Sequence, residues 1–124
     1  MERSPHCASA FALRASADKS FHAGYESHMP LFAVINTRGP AYRHGMPMES
    51  QEAWRAHADL MNALVDEGFI ILGGPLEEPD VLLIVRAESA DAIRARLAPD
   101  PWHRMGLLAI KSISPWTLRL GTLP

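Results

Sequence analysis

The sequence predicts an α+β domain in which an antiparallel sheet carries two helices on one face. Short apolar runs, which are typical of strands, alternate with two segments of helical periodicity in the order β-α-β-β-α-β. The 124 residues, of which 48% are hydrophobic and 21% charged, suit one folded domain. This order of elements is the split βαβ, or ferredoxin-like, arrangement.

Residues 1–28 differ in composition from the rest of the chain. They are rich in Ser, Ala and His and show no sustained apolar period. We therefore expect a weakly ordered N-terminal extension, followed by the folded domain over residues 29–124. The single cysteine, Cys7, cannot form an internal disulfide, which fits a cytoplasmic location.

The overall charge and hydropathy narrow the choice of partners. The formal net charge is −2, whereas nucleic-acid-binding domains usually carry a basic patch. No apolar run reaches the roughly 18 residues that suggest a membrane span. We therefore expect neither a nucleic acid nor a membrane as partner.

The first predicted strand, Leu31–Thr37, is a short apolar run that ends before a glycine-proline pair. The segment after it, Arg38–Glu49, contains two glycines and two prolines and is predicted to be a loop. Its length is about double that of a usual connection, and long ordered loops in compact domains are often functional. It leads into the first helix and could serve as a lid over a site.

The first helix is predicted over Ser50–Glu67, with Ser50 as its N-cap. Gly68 fits the C-terminal cap, where a left-handed conformation favours glycine. At about 100° per residue, one face of this helix is apolar and includes His57, whereas Arg55 falls on the opposite face. The stripe that His57 shares comprises Trp54, Ala58, Met61, Leu64 and Val65.

Two further strands, Phe69–Gly73 and Asp80–Arg86, are joined by a turn and are predicted to form an antiparallel hairpin. A second helix begins after its N-cap Ser89 and stops at Pro99. Trp102–Gly106 is predicted to form one short helical turn. The last predicted elements are strand four, Leu107–Ile113, and a short final strand or tail, Pro115–Leu120.

The predicted strands are nearly continuous apolar runs rather than alternating ones. LFAVI, FIIL and VLLIV are typical of strands that are buried on both faces. Two helices cover only one face of such a sheet, and a soluble monomer rarely exposes an apolar patch larger than on the order of a few hundred Å². The sequence therefore predicts a homodimer in which the open sheet faces pack together.

The candidate catalytic residues are His57, on the apolar helix face, and Asp100, in the Pro-Asp-Pro sequence that stops the second helix. In a split βαβ fold, the end of the second helix can approach the start of the first. The Asp100 carboxylate could then accept a hydrogen bond from one ring nitrogen of His57 and strengthen the other nitrogen as a base. The candidate substrate-binding residues are Arg43, His44, Trp54 and Trp102. The remaining polar candidates are His103, Arg104, Ser112 and Ser114.

A structural interpretation accounts for the same residues. A histidine on an apolar helix face is more often satisfied by a backbone carbonyl than used as a base, and an aspartate between prolines is commonly a turn or cap residue. His44 and His103 are expected at the surface. A metal site of His57, His44 and Asp100 would lack the HxH or HExxH spacing of common metal sites. We therefore expect neither a metal nor a cofactor.

The stretch from His57 to Pro75 reads H-x2-L-x3-L-x3-G-x4-G-G-P. Together with the later motifs Asp100-Pro101-Trp102, Gly106-Leu107 and Pro115-Trp116, this stretch resembles the YCII-related family over Met29–Pro124. The resemblance implies a dimeric α/β barrel built on the ferredoxin-like fold, similar to muconolactone isomerase, in small bacterial proteins. It also implies a His–Asp pair, proposed to be catalytic, that lines a pocket for a small molecule.

The positions that match this pair are His57 and Asp100, the latter within Asp-Pro-Trp, which stands in for the family's Asp-Pro-aromatic motif. One departure concerns the residues before the histidine. Many relatives carry Arg-Pro there, whereas this chain has Trp54-Arg55-Ala56. Because Arg55 is predicted to point away from the apolar face, an arginine clamp for an anion would have to come from Arg43.

Three functions follow from these observations. In the first, the chain is an enzyme that uses His57 and Asp100 for isomerisation, elimination or hydrolysis of a small metabolite. Alternatively, it binds a small ligand without converting it, as an accessory protein, or it is a dimeric structural module in which His57 only packs. A separation near 3 Å between His57 and Asp100 beside an open cavity favours the first two functions, whereas a filled core there favours the third. Conversion of a ligand to a product separates the first function from the second.

Overall fold

The computed structural model describes residues 29–124, which form one four-stranded antiparallel sheet and three helices. The strands are β1 Leu31–Arg38, β2 Ile70–Pro75, β3 Asp80–Arg86 and β4 Leu108–Trp116, and the helices are α1 Trp54–Asp66, α2 Ala90–Leu97 and α3 Pro101–Met105. The strand order is β2-β3-β1-β4. This architecture confirms the predicted α+β, ferredoxin-like fold class.

The main core lies between the helices and one face of the sheet. Val34 of β1 is fully buried and stands opposite Leu83 of β3 and Ile113 of β4. Three adjacent strands therefore present apolar side chains to the same face, where α1 and α2 add theirs. The buried members of this core are Phe32, Val34, Met61, Leu64, Phe69, Ile70, Leu83, Val85, Ala87, Ile93 and Leu97.

The opposite side of the sheet, which we call the open face, is apolar at its centre. Leu31, Ala33 and Ile35 of β1 alternate with the buried residues of that strand and are half-buried. Leu72 of β2 and Trp116 of β4 lie on the same face and are 42% and 38% exposed. Within a single chain, β1 is thus buried on one face, where the sequence predicted burial on both. Cover for the second face requires the dimer, which stays a prediction.

The first helix begins later than predicted. Ser50 ends a short 3-10 turn and caps no helix, and α1 starts at Trp54 after Ala53, whose backbone is left-handed with a φ of 59°. The buried side chain of Gln51 accepts a hydrogen bond from the Arg43 amide at 2.9 Å and donates to the Arg43 carbonyl at 2.8 Å. The segment before α1 therefore closes the long loop instead of extending the helix.

The strand ends also differ from the prediction. Predicted strand four and the predicted short final strand are replaced by one strand, β4, which ends at Trp116. Trp116 pairs with Leu31, the first residue of β1, so β1 offers no partner to the residues that follow. β2 is shifted toward the C-terminus and runs from Ile70 to Pro75.

The predicted caps of the other helix ends are confirmed. At the start of α2, the Ser89 hydroxyl accepts a hydrogen bond from the Ala92 amide at 3.1 Å. Gly68, just after α1, and Gly106, at the end of α3, both have a φ of 87°, which favours glycine. The short turn predicted over Trp102–Gly106 is thus α3.

Gly39 brings the long loop onto the end of α3. Its amide donates to the Leu107 carbonyl at 2.9 Å, and the Ala41 amide donates to the Gly106 carbonyl at 3.1 Å. A Cβ atom on Gly39 would overlap the carbonyl oxygen of Gly106. The absence of a side chain at this position therefore allows the loop to lie against α3.

The predicted N-terminal extension, residues 1–28, lies outside the described residues, and Cys7 lies within it. From residue 29 to residue 124, no helix has the length and apolar character needed to cross a membrane.

Candidate functional site

His57 lies in the first turn of α1, on the side of the helix that faces the core. It is 6% exposed, and α1 also buries Ala58, Met61 and Leu64 on this side. Arg55 is exposed and pairs with Asp59 along the helix. The helical period therefore predicted the orientation of His57 correctly.

Asp100 comes from the other side of the site and meets His57. Its side chain is fully buried at the N-cap of α3, where Oδ1 accepts a hydrogen bond from the Trp102 amide at 3.1 Å. The same oxygen lies 2.9 Å from Nδ1 of His57. A carboxylate can only accept hydrogen bonds, so Nδ1 carries the proton and Nε2 keeps a free lone pair.

Trp102 fixes the plane of the histidine ring. The two rings are stacked, with centroids 3.8 Å apart and planes only 4° apart. Trp102 is itself anchored, because its indole N–H donates to the Glu52 carbonyl at 2.7 Å. His57 is therefore held at one edge by Asp100 and across one face by Trp102, while Trp54 lies 6.0 Å from it, centroid to centroid.

His103 adds a third titratable group to the site. It was expected at the surface, but its side chain is only 12% exposed, and its Nε2 lies 3.7 Å from Oδ2 of Asp100. Burial lowers the pKa of His103; the Asp100 charge opposes this shift and His57 adds to it. The expectation failed because α3 is short and lies against α1, which shields the residue three positions after the cap.

These contacts form an arrangement that can take up or release a proton. The His57 ring has a fixed orientation and, in its neutral form, a defined tautomer, because Nδ1 is bound to Asp100 and Trp102 stacks on the ring. An oriented imidazole with one nitrogen bound to a carboxylate is the usual form of a histidine base.

Of the comparisons with known proteins, the one with family models gives a match. A family model described as the YCII-related domain matches residues 30–117. The chain belongs to the YCII-related family. Neither the curated proteins nor the solved structures provide a match.

The two loop residues predicted to bind substrate lie at the surface of this YCII-related domain. Arg43 uses its backbone to hold Gln51, and His44 is 60% exposed and lies 3.5 Å from Glu78. Neither side chain forms a hydrogen bond or ion pair with His57 or Asp100 in the described structure.

Tyr42 connects the long loop to the site and was missed by the sequence analysis. It is 5% exposed, and its ring lies 6.0 Å from Trp102 and 5.6 Å from His44. Burial raises the pKa of Tyr42, and the guanidinium of Arg38, 4.4 Å above the ring, opposes this. Tyr42 was missed because loop residues are seldom buried. The available signal was its large aromatic side chain, which lies between two turn-forming pairs, Gly39-Pro40 and His44-Gly45.

The described residues provide no cluster of metal ligands, and they line a cavity apart from the site. Over residues 29–124, no three side chains of His, Cys, Asp or Glu are grouped so that they could hold a metal ion. A cavity of about 310 Å³ lies between the start of β1 and α2, at the end of the sheet away from His57. Its polar lining consists of Glu67, Arg86, Glu88 and Arg96.

Proposed function

We propose that this YCII-related protein is an enzyme that acts on a small molecule, with His57 as the general base and Asp100 as the group that orients it. The observation that carries the proposal is the buried hydrogen bond of 2.9 Å between Nδ1 of His57 and Oδ1 of Asp100. It leaves Nε2 as the nitrogen that can accept a proton from a substrate.

The burial of this pair favours a functional role over a purely structural one. A charged carboxylate with no exposed surface is costly to bury, and a turn or cap does not require it, because a serine or asparagine caps a helix as well. The chain nevertheless places Asp100 at 0% exposure against a stacked histidine. Such an arrangement suits proton transfer in isomerisation, elimination or hydrolysis.

The substrate contacts are assigned by exposure. Trp54 is half-buried beside His57 and can offer an apolar surface to a substrate. Trp102, 3% exposed, has little surface left and supports the histidine ring instead. Arg43 and His44 are exposed, and we propose that they meet the substrate when the long loop closes over the site.

The test begins with a thermal-shift screen of small metabolites on the purified full chain, followed by mass analysis of each stabilising compound. With a converted compound in hand, we expect His57→Ala to lower kcat by about 10² to 10⁴, the usual contribution of a general base. Asp100→Asn keeps the shape of the side chain and should lower kcat in the same direction. Arg94→Ala, an exposed change on α2 outside the proposed substrate contacts, is the control and should leave kcat unchanged.

Unchanged kcat in both site variants would refute the proposed base. If compounds in the screen bind and stabilise the protein but none of them is converted to a product, the ligand-binding alternative is favoured.

We also propose that the working form is a homodimer joined through the open face. The half-buried and exposed apolar side chains of that face support it, and so does the family to which the chain belongs. The cytoplasmic location stays a prediction.

A further inference from the structure

A second histidine faces the carboxylate that orients His57. Oδ1 of Asp100 is used by two donors, whereas Oδ2 is shielded from solvent and has no hydrogen-bond partner in the described chain. Nε2 of His103 lies 3.7 Å from Oδ2 and is likewise shielded and without a hydrogen bond there. Two unsatisfied polar atoms thus face each other inside the protein.

The distance between these atoms is informative. Buried polar atoms nearly always have partners, and at 3.7 Å no water molecule fits on the line between these two atoms. It is only slightly longer than a hydrogen bond, so a small rotation of the His103 ring closes the gap. His103 lies three residues after Asp100 on α3, where the helical turn keeps the two side chains adjacent.

We propose that His103 is a positioning residue that shares Asp100 with His57, by donating its Nε2–H to Oδ2 while Oδ1 accepts from His57. This inference rests on the proposed function, because it concerns how the orienting carboxylate is held. A carboxylate bound at both oxygens cannot rotate away from His57. Part of its charge is also engaged by the second ring, so His103 sets the strength of the hydrogen bond to His57.

The role requires a neutral His103 with its proton on Nε2. The ionisable groups that act on it are Asp100 from the start of α3 and His57 from α1, and burial is the largest influence on its pKa, which it lowers. Burial therefore favours the neutral form of His103. In this form its ring is a donor to Asp100 without adding a positive charge next to His57.

Nuclear magnetic resonance of the histidine-labelled full chain tests the proposal without any substrate. In the wild-type protein, the ring nitrogen shifts of His103 should show the tautomer protonated at Nε2. Asp100→Asn removes the charge that raises the pKa of His103, so the titration midpoint of His103 should fall.

Variants of His103 give the second readout. His103→Leu leaves the whole carboxylate to His57, and the Nδ1 proton of His57 should move downfield as its hydrogen bond strengthens. His103→Gln, whose amide can still donate, should keep this proton near its wild-type position. His44→Leu, a matched change at an exposed histidine, should leave it unmoved.

Protonation of neutral His103 at Nδ1, or a titration midpoint that Asp100→Asn leaves unchanged, would overturn the proposal. The tautomer is read in the wild-type chain, so this holds even if a variant does not fold. If the Nδ1 proton of His57 persists while His103 fails these tests, the His57–Asp100 pair stands and only the role of His103 falls. If His57→Ala leaves kcat unchanged, the proposed base is refuted. The effect of Asp100→Asn on the titration midpoint of His103 still tests the contact between Asp100 and His103.

Discussion

Asp100 combines a structural and a proposed catalytic role in one oxygen atom. Oδ1 caps α3 through the Trp102 amide and also meets Nδ1 of His57. Removal of one partner from a buried charged pair typically costs about 3–5 kcal/mol of stability. A change to alanine would therefore mix loss of fold with loss of activity, and Asp100→Asn, which can still cap the helix, is the informative variant.

Gly39 permits a close backbone contact between the long loop and the end of α3. A Cβ at Gly39 would overlap the Gly106 carbonyl oxygen, which is backbone and cannot move aside cheaply. We expect Gly39→Ala to lower the free energy of unfolding by about 2 kcal/mol or more, as overpacking does. Urea unfolding of the variant measures this.

Gly74→Ala is the matched control for this prediction, because a Cβ at Gly74 meets nothing within 4 Å. Its effect should stay within about 0.5 kcal/mol. Equal losses in the two variants would show that the close approach of Gly39 to Gly106 is not the cause.

At the scale of elements, the start of α1 shows how a long-range contact replaces a local signal. Ser50 has the residue type and spacing of an N-cap, yet the two hydrogen bonds between the Gln51 side chain and the Arg43 backbone hold this segment in the loop. Ser89 has the same residue type, no competing contact, and caps α2. In this chain, a serine therefore acts as the predicted helix cap where no long-range hydrogen bond holds its neighbours in another conformation.

The two serines provide a direct measurement of this difference. Ser89→Ala removes the acceptor of the Ala92 amide and should destabilise the fold by about 1 kcal/mol. Ser50→Ala removes no helix cap and should change stability by less than about 0.5 kcal/mol. Thermal or urea unfolding of both variants gives the comparison, and a larger loss in Ser50→Ala would contradict the assigned helix start.

For the whole molecule, the main open question is what covers the open face. β1 alternates between buried and half-buried residues, and its half-buried side, with Leu72 and Trp116, is apolar. A second copy of the chain would bury this surface. It would also explain why the strands are continuous apolar runs although helices cover only one face of the sheet.

We expect light scattering after size exclusion to give about twice the chain mass of 13.7 kDa. Ile35→Lys places a charge at the centre of the open face and should yield a folded monomer, with folding checked by circular dichroism. Met46→Lys, at an exposed loop residue, should remain dimeric. A wild-type monomer at micromolar concentration would contradict the proposed interface.

The sequence by itself determined the order of the elements, the caps at Ser89 and Gly68, and the side of α1 on which His57 lies. These features depend on residues within about four positions of one another, so a local period or residue type is enough to predict them. The topology also made the pairing of His57 with Asp100 an expectation, and the resemblance to the family supported it.

Only the tertiary structure decided that these two side chains, 43 residues apart, lie 2.9 Å from each other. It also decided that Trp102 stacks on His57, that His103 is buried beside Asp100, and that Gln51 ends the loop. The physical reason is that tertiary packing decides which groups meet a side chain and which elements cover it. This holds even for His103 and Asp100, which are three residues apart, and no local pattern records it.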